Sequence, residues 1–210
     1  MKVIESAMTK TIALFGGGGH ASVIADILLK LGYKIEVIVD KQLSLNREVF
    51  NDIPVISDDV FISRYSPEAI KVANGLGFVP GSHIRKAIFE KLKTIGFVFE
   101  TVVSKDAIVS SYSILGEGVQ VLPGAIIQPG VRLGENTIIN TGVIIEHDSI
   151  IGNNCHISPG GVLCGGVTCG DNVFVGANAT VIQNITIGDE SIIGSAALVR
   201  KNILPNSTFY

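Results

Sequence analysis

The stretch NTGVIIEHDSIIGNNCHISPG, residues 140–160, sets Asn140, His147, Asp148 and His156 among isoleucines and glycines. An imidazole that titrates near neutrality can take a proton from an attacking nucleophile, and a carboxylate beside it can orient the ring or stabilise the imidazolium. His147 followed by Asp148 has that composition. A second candidate is the turn GGGGHA, residues 16–21, where Gly17, Gly18 and Gly19 let a backbone approach phosphate groups at a helix start and His20 stands at the first helical turn. Asp40 and Lys41 follow a strand-like run, KIEVIV, and an acid there can accept ribose hydroxyls. A catalytic zinc needs about three convergent protein ligands. The segment around His147 offers two histidines, so no metal is expected and a zinc hydratase is disfavoured.

These residues need elements to hold them. From Val103 to Val199 an aliphatic residue recurs every six positions without a slip, Cys169 being the single departure. Four residues after many of them stands a small or β-branched one: Ala125, Val131, Thr137, Val143, Ser149, Cys155, Gly161, Val167. Superposed on the hexads, LGEG, LGEN, IGNN, CGDN and IGDE begin at residues 115, 133, 151, 169 and 187, which are eighteen apart, so three hexads make one turn. A period of six suits neither a helical face nor a single strand. It suits a triangular coil of short parallel strands with the aliphatics pointing inward, rungs about 4.8 Å apart, and no protruding loop. Gly165 lies eighteen residues after His147, one rung away on the same edge, and its N–H is a candidate donor to an oxyanion. His156 is nine residues from His147, half a coil, so the two belong to different faces and could meet only across a subunit boundary. Ala177 and Ser195, again eighteen apart, share one edge and are candidates for contact with an acyl donor.

The first half reads differently. TIALF predicts a strand, HASVIADILLKLG a helix with Val23, Ile24, Ile27, Leu28 and Leu31 at helical spacing, KIEVIVD a second strand and AIKVANG a third. Ser82 is expected to cap a helix through HIRKAIFEKLKTIG, and FVFETVV to form a last strand leading into the coil. The fold expected is therefore an α/β half-Rossmann domain over residues 1–102, sized for a mononucleotide such as uridine diphosphate, followed by an all-β left-handed parallel β-helix over residues 103–210.

The 210 residues hold 16 Lys/Arg and 19 Asp/Glu, a net charge of −3. Residues 1–102 carry 12 basic against 11 acidic groups and residues 103–210 only four against eight, so neither half has the basic surface that nucleic acid demands. No run approaches the roughly 18 apolar residues of a spanning helix, and MKVIESAMTK lacks a signal-peptide apolar core, so no membrane association and a cytoplasmic location are expected. Three cysteines without a C-x-x-C pair suggest reduced thiols, with Cys155 and Cys169 at inward core positions.

GGGGHA, the VD that ends the second strand, and NTGVIIEHDSIIGNNCHISPG together resemble the sugar-modifying acetyltransferases of bacterial glycan synthesis, above all the UDP-4-amino-sugar N-acetyltransferases and relatives that O-acetylate sialic acid. The resemblance spans nearly the whole chain. It implies that His147 is the general base, that Asp148 supports it where the family more often has Glu, that Asn140 lies beside the site, and that His156 contacts the donor. It also implies acetyl-CoA as cosubstrate, a UDP-linked amino sugar as acceptor, and a homotrimer. Related chains continue past a segment like LPNSTFY into a donor-binding tail; with the sequence ending at Tyr210, Arg200 and Lys201 are the cations near the last coil. A sugar-hydroxyl acceptor and a noncatalytic nucleotide-binding scaffold are the competing readings. A sugar nucleotidyltransferase is disfavoured because TIALFGGGGHASV lacks the Arg- and Lys-bearing signature such enzymes carry.

Overall fold

A computed structural model describes residues 10–42 and 46–210. Residues 1–9, where the absence of a signal-peptide core was expected, fall outside the described residues.

The N-terminal unit begins with β1 (Thr11–Phe15), α1 (Gly19–Lys30) and β2 (Lys34–Val39). It continues through β3 (Val55–Ile56), α2 (Asp58–Arg64), β4 (Lys71–Asn74) and α3 (Ile84–Ile95). The sheet is parallel, in the order β3-β2-β1-β4. Its strands are buried on both faces, as continuous runs such as Ile12–Phe15 require. On α1, Ile24, Ile27 and Leu28 face the core as their spacing predicts, while Val23 is 38% exposed.

Two expectations are corrected. The cap of α3 is His83, without a side-chain hydrogen bond, because the Ser82 N–H is turned back to the Val79 carbonyl in the preceding turn. FVFETVV forms no continuous fifth strand: Phe99 makes an isolated bridge to Val72, and Glu117 from the coil takes the Phe99 N–H. The short pieces β3 and α2 had no periodic signal long enough to read.

From Val102 the chain is a left-handed β-helix of two-residue strands. Its first face stacks Val102–Val103, Gln120–Val121, Ile138–Ile139, His156–Ile157, Phe174–Val175, Ile192–Ile193 and Thr208–Phe209. The second stacks Ile108–Val109 through Ile144–Ile145 to Leu198–Val199, and the third Ile114–Leu115 through Ile150–Ile151 to Thr186–Ile187. The aliphatics of the hexads fill the interior, Cys155 and Cys169 among them at 1% and 2% exposure. Burial pushes the Cys155 thiol up to about 12. The register of eighteen holds until Val199; the last coil is two residues shorter, pairing Ile187 with Ile203 and Ile193 with Phe209.

From Gly118 to Ala196 every corner holds a residue in the left-handed region, which asparagine and aspartate tolerate better than other side chains bearing a Cβ. Asn136, Asn154, Asn172, Asn178 and Asn184 fill corners with φ between 54° and 59°, as does Asp148 at 59°. No helix among the described residues is long and apolar enough to cross a membrane.

The outward positions of the first face are not left to water. Ile138 is fully buried and belongs to the same apolar cluster as Ile24 and Leu28 of α1, together with Val102 and Leu122. The N-terminal unit thus lies on that face of the coil, and this docking builds half of the site.

Candidate active site

One constellation stands on the edge between the second and third faces, in the turn after Ile144–Ile145. The Nδ1 of His147 lies 2.9 Å from Oδ2 of Asp148, with both side chains well exposed at 65% and 76%. The left-handed backbone at Asp148 fixes this corner. A carboxylate can only accept, so Nδ1 carries the proton, and in the neutral ring Nε2 then carries the lone pair. Above the ring is Gly165: a Cβ there would sit 2.7 Å from both Cε1 and Nε2 of His147. Only a residue without a side chain lets the imidazole lie across the neighbouring rung. The Gly165 carbonyl accepts from Asn184, whereas its N–H has no partner among the described residues.

The second constellation is buried where the N-terminal unit meets the first face. His156 is 9% exposed, edge-on to Phe78 at 5.7 Å and to Phe174 at 5.4 Å. Its Nε2 meets Nδ2 of Asn140 at 3.0 Å, and its Nδ1 is buried without a hydrogen bond of good geometry. His20 projects from α1 onto the coil, its Nε2 2.8 Å from Oε1 of Gln120. Burial, with Arg85 close by, pulls the His20 imidazole down to about 4; burial, then His20 and Arg85, pulls His156 down to about 3. Both rings are neutral at physiological pH, so His20 has no positive charge to offer a phosphate. The Arg85 guanidinium is buried without a carboxylate, donating to the carbonyls of Asn74, Leu76 and Asn136 and to Gln120, and burial lowers it to about 9.

The third constellation lies at the carboxyl ends of β1 and β2, where open α/β sheets bind ligands. A cavity of about 220 Å³ is lined by Phe15, Val39, Asp40, Lys41, Asp58 and Leu76, among others. Asp40 holds the glycine turn, accepting the Gly17 N–H at 2.6 Å and the Gln42 N–H at 2.8 Å. The N–H groups of Gly18 and Gly19 open α1 without a side-chain cap. Gly75 at the end of β4 closes the back of the turn: a Cβ there would meet Phe15 O and Ala21 Cβ at 2.8 Å.

Of the residues singled out in the sequence, the fold therefore brings together His147, Asp148 and Gly165, and separately His20, His156 and Asn140. Ala177 and Ser195 stack on the edge that carries Asn140, the Ala177 carbonyl accepting the N–H of Ala196, and not on the edge of Gly165. The positions singled out for the donor thus fall on two edges of one chain. Sequence reasoning missed Gln120, Arg85, Phe78, Phe174 and Arg47, whose guanidinium reaches to 3.7 Å from where a Gly19 Cβ would be. Arg85 did leave a trace: with Phe89 and Leu92 it completes the buried stripe of α3, an odd place for a cation. Among the described residues no group of three or more His, Cys, Asp or Glu could hold a metal ion.

An α/β unit docked on a hexad coil with an exposed histidine–acid pair is an arrangement suited to a hexapeptide-repeat acyltransferase. Residues 11–92 match the PglD N-terminal domain, and residues 112–147, 130–165 and 166–201 match the bacterial transferase hexapeptide (six repeats). The acetyltransferase domain of PglB from Neisseria gonorrhoeae is 30% identical over 93% of each chain, with a TM-score of 0.83. The same domain in complex with acetyl coenzyme A is 29% identical over 95% of each chain, with a TM-score of 0.87. A mutant perosamine N-acetyltransferase from Caulobacter crescentus, in complex with CoA and GDP-perosamine, is 30% identical over 96% of this chain and 93% of that one, with a TM-score of 0.86. The chain belongs to the family of hexapeptide-repeat sugar acetyltransferases with a PglD-type N-terminal domain. It is an acetyl-CoA-dependent sugar acetyltransferase.

Proposed function

We propose that the protein transfers the acetyl group of acetyl-CoA to the 4-amino group of a UDP-linked amino-dideoxy sugar, with His147 as general base. The observation that carries the base assignment is the His147–Asp148–Gly165 corner: a lone pair on Nε2, a carboxylate on Nδ1 and an unpaired backbone N–H one rung away. The sugar nitrogen attacks the thioester carbonyl carbon while Nε2 removes its proton. The Gly165 N–H stabilises the oxyanion, worth several kcal/mol in such sites. The C–S bond then breaks, and the imidazolium returns the proton to the CoA thiolate. Asp148 stabilises the imidazolium in between.

The cavity beside Asp40 and Lys41 and the open α1 N-terminus support the nucleotide at the N-terminal unit, with phosphates near Gly17, Gly18 and Gly19. The solved relative that holds GDP-perosamine makes the base a matter for assay, so UDP- and GDP-linked amino sugars are tested side by side.

His156 stands half a coil from His147 and is grouped with Asn140 and His20 at the first face instead, which supports a site shared between protomers of a homotrimer. The outward positions of the second face support it too: Ile108 is 67% and Leu198 43% exposed, with Ile126, Ile144, Val162 and one polar residue, Thr180, between them. This apolar stripe suits another copy of the chain better than water.

Three measurements test the proposal. Acetyl-CoA turnover is expected with a nucleotide-linked 4-amino sugar; turnover only with a sugar hydroxyl acceptor such as sialic acid would overturn it. Sedimentation is expected at three times the 22.2 kDa chain mass, against a fully active monomer. Mixed oligomers of inactive His147→Ala and inactive His156→Ala chains are expected to recover activity, because a shared site regains one intact copy; no recovery would place the site within one chain.

A further inference from the structure

The buried amides dictate the tautomers of both buried imidazoles, and the use made of them here rests on the acetyl transfer to an amino sugar proposed above. Gln120 is fully buried on the first face. Its Nε2 is 2.7 Å from the Asn74 carbonyl, which can only accept, and its Oε1 receives Nη2 of Arg85, which can only donate. The amide therefore cannot be turned over. Oε1 is then an acceptor toward His20 as well, so Nε2 of His20 must carry the proton and its Nδ1 must hold a bare lone pair. At the other imidazole, Oδ1 of Asn140 takes the Thr141 N–H at 2.8 Å, which leaves Nδ2 to donate to Nε2 of His156. His156 consequently bears its proton on Nδ1, which makes no hydrogen bond of good geometry although the Phe78 backbone acts on the ring.

We propose that Gln120, gripped by Arg85 and the Asn74 carbonyl, is a positioning residue that locks His20 as the Nε2–H tautomer and so presents Nδ1 as a hydrogen-bond acceptor for the N–H or O–H of the acceptor sugar. His156 is its complement, an N–H donor for an oxygen. The pair thus offers one acceptor and one donor, both uncharged, and an amine held between such groups stays in the neutral form that can attack. A methionine or leucine at position 120 would fill the volume and leave the ring free to exchange tautomers. A glutamate would still accept from Nε2.

The test is long-range ¹H–¹⁵N NMR of the histidine side chains, with His156→Asn used to assign the two buried rings, alongside steady-state kinetics. In the unsubstituted protein the His20 Nε2 is expected to be pyrrole-like and Nδ1 pyridine-like. Gln120→Met should average the two and raise KM for the sugar about ten-fold, leaving KM for acetyl-CoA unchanged. Gln120→Glu should restore the tautomer. A proton on His20 Nδ1 in the unsubstituted protein would overturn the proposal, and this holds even if Gln120→Met does not fold. So would a Gln120→Met protein with unchanged nitrogen shifts and sugar KM. Failure of every amino sugar to turn over would count against the acceptor assignment alone, because the nitrogen shifts are read without substrate.

Discussion

Replacing Gly165 by alanine should separate catalysis from stability. The new Cβ would stand 2.7 Å from Cε1 and Nε2 of His147 and 3.3 Å from Cδ2. Carbon contacts are comfortable at about 3.5–4.0 Å, so one partner must yield by roughly 1 Å. The backbone at Gly165 is not in the left-handed region, and alanine suits it without strain. The imidazole is the part free to move, being 65% exposed and tied only to Asp148. Swinging it toward solvent costs little, under about 1 kcal/mol. Catalysis fares worse, because a base displaced by about 1 Å costs on the order of 100-fold in kcat. The assay is release of the CoA thiol at saturating acetyl-CoA, with a thermal melt beside it. A kcat within about three-fold of the parent would refute the reasoning. A melting temperature lowered by more than about 4 °C would refute it too, since the rung and not the ring would then have absorbed the overlap.

Asp148→Asn keeps the corner conformation and removes the carboxylate from Nδ1, so kcat should fall on the order of 10²-fold or more with the melting temperature unchanged; an unaltered kcat would show that Asp148 gives His147 no support. The two buried imidazoles make the fold acid-sensitive. Their folded values, about 4 for His20 and about 3 for His156, lie below the usual 6.5, so the unfolded chain binds more protons between them. Stability should be full above pH 6.5 and fall as the pH drops through 4, by on the order of 3 kcal/mol for His20 alone. Urea titrations at pH 7 and 4.5 should show the loss, and His156→Asn should lessen it; equal midpoints would deny the burial. Of the three thiols only the half-buried Cys164 should react with a mild alkylating reagent in the native protein, as Cys155 and Cys169 fill the coil interior; labelling of all three would contradict that packing.

The sequence by itself determined the coil. A hexad is a local rule repeated down one dimension: each aliphatic packs on the one eighteen residues away, so the arithmetic gave the rungs from Val103 to Val199. It also gave the stacking of Gly165 on His147 and the half-coil separation of His156. The glycine turn between β1 and α1 was legible for the same reason, its flanking elements being neighbours within one βαβ unit, whereas the grip of Asp40 on the Gly17 N–H was not.

Only the tertiary structure decided what the outward positions do. In the hexad pattern Gln120, Ile138, His156 and Phe174 are equivalent to Ile108 or Ile150, which stand 67% and 47% exposed. Docking of the N-terminal unit buries the first set, silences the charge of two histidines and encloses Arg85, whose partners lie up to 51 residues away. That arrangement depends on which face of the prism a separate unit covers. Such a choice comes from shape and apolar area matched across two surfaces, which no spacing within either segment encodes.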